Sequence, residues 1–106
     1  MVYKHIVMWK FKEQHNGKSA LENARWMKEQ LEALVGVVPE LLSAEVGISP
    51  ALEHAASGEY DACLLSTFAS PEALAAYKVH PKHKAISAYC KEARLKRLAF
   101  DWWSEE

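Results

Sequence analysis

Cysteine is scarce in this sequence, no apolar run is long, and neither sign of charge is in surplus; each lack removes a class of function. Only Cys63 and Cys90 occur, and their spacing is neither C-x-x-C nor any other metal-finger or redox pattern. A disulfide framework is therefore not expected, and both thiols are read as buried and reduced. A nucleophilic thiol would need an activating base, and Cys90 lies seven residues after His83, a weak pairing even on one continuous helix. Uninterrupted apolar stretches are only a few residues long, against the roughly 18 that a bilayer-spanning helix needs. Thirteen Lys and Arg against 14 Asp and Glu leave a formal charge of −1, too balanced for the basic footprint that binds nucleic acid. Neither nucleic acid nor a membrane is expected as a partner. The opening Met1-Val2-Tyr3-Lys4-His5 enters a strand-like alternation without a basic segment, apolar region or cleavage site, so a cytoplasmic location is expected. No Gly-rich phosphate loop, Ser-His-Asp order or paired-carboxylate motif is present, and no cofactor is expected.

What the sequence does have is 106 residues, half of them apolar, with four Trp, four Tyr, three Phe and five His. That length suits a single domain spanning 1–106. Residues 2–11 are rich in β-branched and aromatic types and read as a strand, whose period of two separates Tyr3, His5, Val7, Trp9 and Phe11 from Val2, Lys4, Ile6, Met8 and Lys10. Both sets hold large apolar residues, so neither face is plainly the wet one. Asn16-Gly17 signals a turn, and Ser19 with Glu22 has the spacing of a capping box. Ala24, Met27, Leu31, Leu34, Val35 and Val38 then form one apolar stripe, predicting a helix from about Ser19 to Val35 that stops at Gly36 and Pro39.

Leu42 to Ile48 reads as a second strand, Ser49 to Gly58 as a loop with room for a helical turn, and Tyr60 to Phe68 as a third strand. Ser70-Pro71-Glu72 is a strong helix start: Ser caps, Pro suits the first helical position, and the acid meets the positive end of the dipole. Pro81 should break or kink that helix after His80, helical propensity resumes to Ala93, and Arg94 to Trp102 reads as a last strand. The order β-α-β-β-α-β is the ferredoxin-like α+β pattern, a four-stranded antiparallel sheet with both helices on one face. Ile6 and Met8, if they lie on the bare face, need a cover the chain does not supply, and a second copy packed sheet to sheet is the economical answer. The expected partner is thus the chain itself, as a homodimer.

Tyr77-Lys78-Val79-His80-Pro81-Lys82-His83 is the densest polar group in the chain. His80 and His83 would share one helical face if Pro81 opens a restarted helix, and His5 would meet them from below if its strand face lies under the helices. An imidazole facing a phenol in a partly apolar cavity suits moving a proton onto or off a bound carbonyl compound. His83 and Tyr77 are the candidate catalytic pair. His5, Val7, Trp9 and His80 are candidate contacts to a small apolar or aromatic ligand. The plainer reading makes His80 a helix cap, Tyr77 core, and His15 and His54 solvated loop residues. Trp102-Trp103 is read as core or interface packing. His5, His80 and His83 could offer three imidazoles to zinc, but H-P-x-H has no ligand specificity, and no metal site is expected.

Lys4-His5-Ile6-Val7-Met8-Trp9-Lys10-Phe11-Lys12, Val38-Pro39, Tyr60, Thr67-Phe68 and Tyr77-x-x-His80-Pro81-x-His83 together resemble the stress-responsive dimeric α/β-barrel (Dabb) domain family, over nearly the whole chain from Lys4 to Trp102. The resemblance implies a ferredoxin-like protomer whose sheet pairs with a second copy to form a dimeric α/β barrel. One plant member closes a linear polyketide by aldol condensation, with a histidine base and a pocket tyrosine. On the resemblance these match His83 and Tyr77, and a strand-one pocket histidine matches His5. A helix-one pocket tyrosine falls at Leu31 and a strand-three histidine at Ala62, departures that speak against the same substrate.

Two functions compete on this reading. In one, a pocket between sheet and helices binds or transforms an apolar or aromatic carbonyl compound, with His83 as base or anchor. In the other there is no chemistry: the protein is a stress-related or interaction module, and its histidines are structural. A cavity beside Trp9, Tyr77 and His83 discriminates them. A heme- or flavin-independent monooxygenase is a third reading, by fold analogy alone.

Overall fold

The computed structural model of the chain describes residues 1–53 and 58–106. Strand β1 (Val2–Phe11) leads into a small hairpin, β2 (Gln14–His15) and β3 (Lys18–Ser19), and then into helix α1 (Ala20–Glu32). Strand β4 (Ser43–Ile48), one turn of helix α2 (Pro50–Glu53) and strand β5 (Ala62–Phe68) follow; helices α3 (Pro71–Val79) and α4 (Pro81–Ala93) and strand β6 (Arg94–Ser104) complete the chain. The main sheet has the order β4-β5-β1-β6 with every neighbour antiparallel, which is the ferredoxin-like α+β arrangement read from the sequence.

Local chemistry accounts for the boundaries. Asn16 and Gly17 both have positive φ, 56° and 74°, as a tight two-residue hairpin turn requires, so the turn signal carries a pair of short strands that the sequence reading did not include. The capping box is formed: Ser19 Oγ accepts from the Glu22 N–H at 3.1 Å and Glu22 Oε1 accepts from the Ser19 N–H at 3.0 Å. Helix α1 ends at Glu32, one turn earlier than the apolar stripe suggested. Val35 is accordingly 41% exposed, while Val38 still reaches the core from the turn that follows. Ser70 Oγ accepts from the Ala73 N–H and Pro71 opens α3, as expected. Before Pro81 the helical region is sterically disfavoured; His80 is extended (φ −63°, ψ 134°), and the expected break is complete, giving two helices.

The period of two in β1 puts Val7, Trp9 and Phe11 under the helices, with Leu64 and Phe68 of β5 and Val46 of β4 beside them. Ala24, Met27 and Leu31 of α1, Leu74 and Tyr77 of α3, and Ile86 and Cys90 of α4 close over this layer. The opposite face of the sheet carries Ile6, Met8, Leu65, Leu98, Phe100 and Trp102, with no element over it among the described residues. Cys63 shares that face and is half-buried, so only Cys90 is the buried thiol the sequence suggested. His15 is also not a solvated loop residue. It sits on β2 with its ring edge-on to Tyr89, centroids 5.4 Å apart. His54 lies outside the described residues.

Candidate functional site

Strand β1 carries His5, Val7 and Trp9 on its helix side at alternate positions, all buried. Helix α4 crosses above them, and because Pro81 fixes its start, His83 falls in its first turn, facing the sheet near the end of α3. Between these elements lies a cavity of about 250 Å³. Val7, Trp9, Leu31, Leu64, Ile86 and Cys90 form its apolar wall; His5, His83, Lys78, Ser87, Arg94 and Arg97 supply its polar groups.

The two imidazoles are held in the same way. His5 Nδ1 is 2.5 Å from Asp101 Oδ1, and His83 Nδ1 is 3.2 Å from the Lys78 carbonyl oxygen. A carboxylate or carbonyl oxygen only accepts, so in each neutral ring the proton sits on Nδ1 and Nε2 keeps its lone pair. Neither Nε2 has a protein partner among the described residues. Burial holds the His5 pKa below the ordinary histidine value; Asp101 opposes this, while Lys78 and Arg97 reinforce it. His83 is lowered first by burial and further by His5, Arg97 and Lys78, with the Lys78 carbonyl opposing. Both rings are thereby favoured as neutral bases at neutral pH.

His80 plays a different part. Its Nδ1 accepts from the Lys82 N–H at 3.1 Å, which makes it the N-cap of α4 and fixes the opposite tautomer, and it does not line the cavity. Tyr77 lies against His83 ring to ring, centroids 4.3 Å apart, and against Phe68 at 5.1 Å. It is 1% exposed and sits beneath the cavity lining, with a hydroxyl that has no hydrogen-bond partner among the described residues. Burial raises its pKa well above the ordinary phenol value, so Tyr77 stays protonated. Cys90 does line the cavity, but burial pushes its thiol up to about 11, which leaves it a poor nucleophile. Leu31, at the position where the family resemblance would put a pocket tyrosine, makes that wall apolar; Ala62 stays outside the lining.

Asp101, Arg94 and Arg97 were not singled out by sequence reading. Asp101 is opposite His5 and Arg97 opposite Trp9 in the β1–β6 ladder. The alternation Arg97, Ala99, Asp101 along β6 puts both charges on one strand face, but which strand this face adjoins depends on a register that spans almost the whole chain. Among the described residues no group of His, Cys, Asp and Glu forms a metal cage.

The family model described as Stress Responsive A/B Barrel Domain matches residues 3–104. A search of curated proteins finds no match. Among solved structures, a dimeric protein of unknown function and ferredoxin-like fold from Bacteroides fragilis superposes with a TM-score of 0.81 at 25% identity, covering 97% of this chain and 96% of that one. A protein from Arabidopsis thaliana superposes with a TM-score of 0.75 at 26% identity, covering 98% and 96%. The hydroxynitrile lyase of Passiflora edulis shares the fold with a TM-score of 0.76 at 18% identity, covering 99% and 95%.

Proposed function

The chain belongs to the stress-responsive A/B barrel domain family, and on that footing we propose that it is a homodimeric small-molecule protein whose sheet–helix cavity binds an apolar or aromatic carbonyl compound and moves a proton on it. One observation carries this reading: two imidazoles with Nδ1 tied and Nε2 free line a single cavity that has both an apolar wall and a polar side. In the proposed step His83 Nε2 takes a proton from the carbon next to the carbonyl; the C–H bond breaks, the N–H bond forms, and the electron pair moves to the enolate oxygen. Asp101 orients His5 as the second base and offsets charge if His5 takes the proton. Tyr77, packed against the His83 ring beneath the cavity lining, fixes its orientation.

The dimer rests on the open sheet face. Phe100 is 63% exposed and Leu98 38%, beside Ile6, Met8 and Trp102, a contiguous apolar surface that a second sheet would cover. Neighbours of the same fold from Bacteroides fragilis and Thermobifida fusca are dimeric.

Benzoylacetone, a neutral aromatic diketone, tests the site by titration into the protein while the histidine ring resonances are followed by NMR. Ring signals of His5 and His83 are expected to move, with those of His80 and His15 unchanged. Saturable shifts at His80 alone, or none at any histidine at millimolar ligand, would contradict the reading.

A further inference from the structure

The polar part of the cavity is lopsided in charge. Lys78, Arg94 and Arg97 line it and no carboxylate does. None of the three cations has an ion-pair partner within 4.0 Å among the described residues, whereas Lys4, Lys10, Lys28 and Lys96 all do. Asp101, whose charge acts on Arg97, already accepts from His5. Arg97 feels the repulsion directly: burial and Arg94 both act to lower its pKa, with Asp101 opposing. Three like charges around one small space face the single carboxylate of Asp101, so an excess of positive charge remains at the cavity, with Arg94 half-buried and Lys78 and Arg97 exposed at its mouth, and a bound anion offsets that excess. The two guanidiniums also offer paired N–H donors in the plane that a carboxylate or phosphate accepts.

We infer that the cavity selects anionic ligands, an acidic head group held by Lys78, Arg94 and Arg97 on an apolar or aromatic body seated against Trp9 and Leu64. The inference rests on reading the cavity as a ligand site and adds the class of compound it takes. About 250 Å³ is the space of roughly eight water molecules, which suits a small aromatic acid rather than a large conjugate. A β-keto acid fits both halves: its carboxylate meets the cations, and its acidic CH2 comes to the histidines. As that CH2 loses a proton, the same cations stabilise the enolate charge that develops.

Calorimetric titration with matched ligands tests this. Benzoylacetate and benzoylacetone have the same shape and differ in a carboxylate against an acetyl group; phenyl phosphate presents the alternative head group. Benzoylacetate is expected to bind about tenfold or more tighter than benzoylacetone at low salt, with the gap narrowing as salt is added. In Arg94→Gln/Arg97→Gln the gap should shrink to about twofold or less; Arg97→Lys should retain part of it. Tighter binding of phenyl phosphate than of benzoylacetate would assign the head group to phosphate within the same anion site. Equal affinity for the acid and the diketone overturns the anion selectivity and leaves the cavity as a site for neutral ketones. Absence of binding by all three overturns the ligand site itself.

Discussion

Tyr77 keeps a buried hydroxyl that no protein group satisfies among the described residues, a cost on the order of 1–3 kcal/mol. A phenol kept at that cost for packing alone would gain from losing its oxygen. Tyr77→Phe is therefore expected to leave the thermal midpoint unchanged or raise it; a clear loss of stability would show that the hydroxyl is structural. The histidines make a pH prediction. His5 and His83 both have folded-state pKa values below the ordinary 6.5, so below about pH 6.5 the unfolded chain binds protons that the folded one does not, and stability falls as pH drops through that window. The thermal midpoint should be lower at about pH 5.5 than at about pH 7.5, a range above the ordinary carboxylate values. The drop should be smaller in His83→Gln, and an equal drop in both proteins would remove His83 from the account. At this scale the sequence was partly legible. The alternation of β1 and the Pro81 break put His5 and His83 among the candidates, while Asp101 and the arginines stayed hidden because their role comes from long-range pairing. Tyr77 was expected at the cavity and lies beneath it, since its ring is the larger gain when buried against Phe68.

Helix α1 and the edge strand β4 are joined by a clasp. Val46 turns its N–H and C=O away from β5, and the N–H meets Glu32 Oε2 at 2.9 Å while the C=O accepts from Lys28 Nζ at 2.8 Å. Lys28 and Glu32 are themselves 2.7 Å apart, and with the Val46 N–H they hold the Glu32 carboxyl below the usual carboxylate range. The clasp occupies backbone groups that an exposed sheet edge would offer to another chain. Glu32→Ala is expected to destabilise the fold by about 1–2 kcal/mol, read from urea unfolding, and to expose the Val46 amide to faster hydrogen exchange. Unchanged exchange at Val46 would count against the clasp. The caps at Ser19 and Ser70 were readable because they join residues three apart in sequence. The clasp was not, because Glu32 and Val46 are brought together only by the turn through Gly36, whose φ of 86° is a left-handed conformation that glycine adopts without strain.

One sheet face is sealed by helices and the other is apolar, with no element over it among the described residues; the β-α-β-β-α-β order foresaw the one-sided cover, and Ile6 and Met8 in the β1 alternation the apolar bare face. Phe100→Asp on the open face is expected to halve the solution mass, from twice the 12.0 kDa chain mass to one chain, in light scattering at micromolar concentration. A wild-type mass of one chain would refute the dimer. The proposed role of His83 as a base on a carbonyl compound in the cavity is read from the rate at which the protein accelerates exchange of the central CH2 protons of benzoylacetone with D2O, followed by proton NMR in wild type and His83→Ala. Acceleration over the buffer rate by the wild-type protein, falling about a hundredfold or more in a folded His83→Ala, is the expected result; no acceleration by wild type, or the same acceleration without His83, would contradict it.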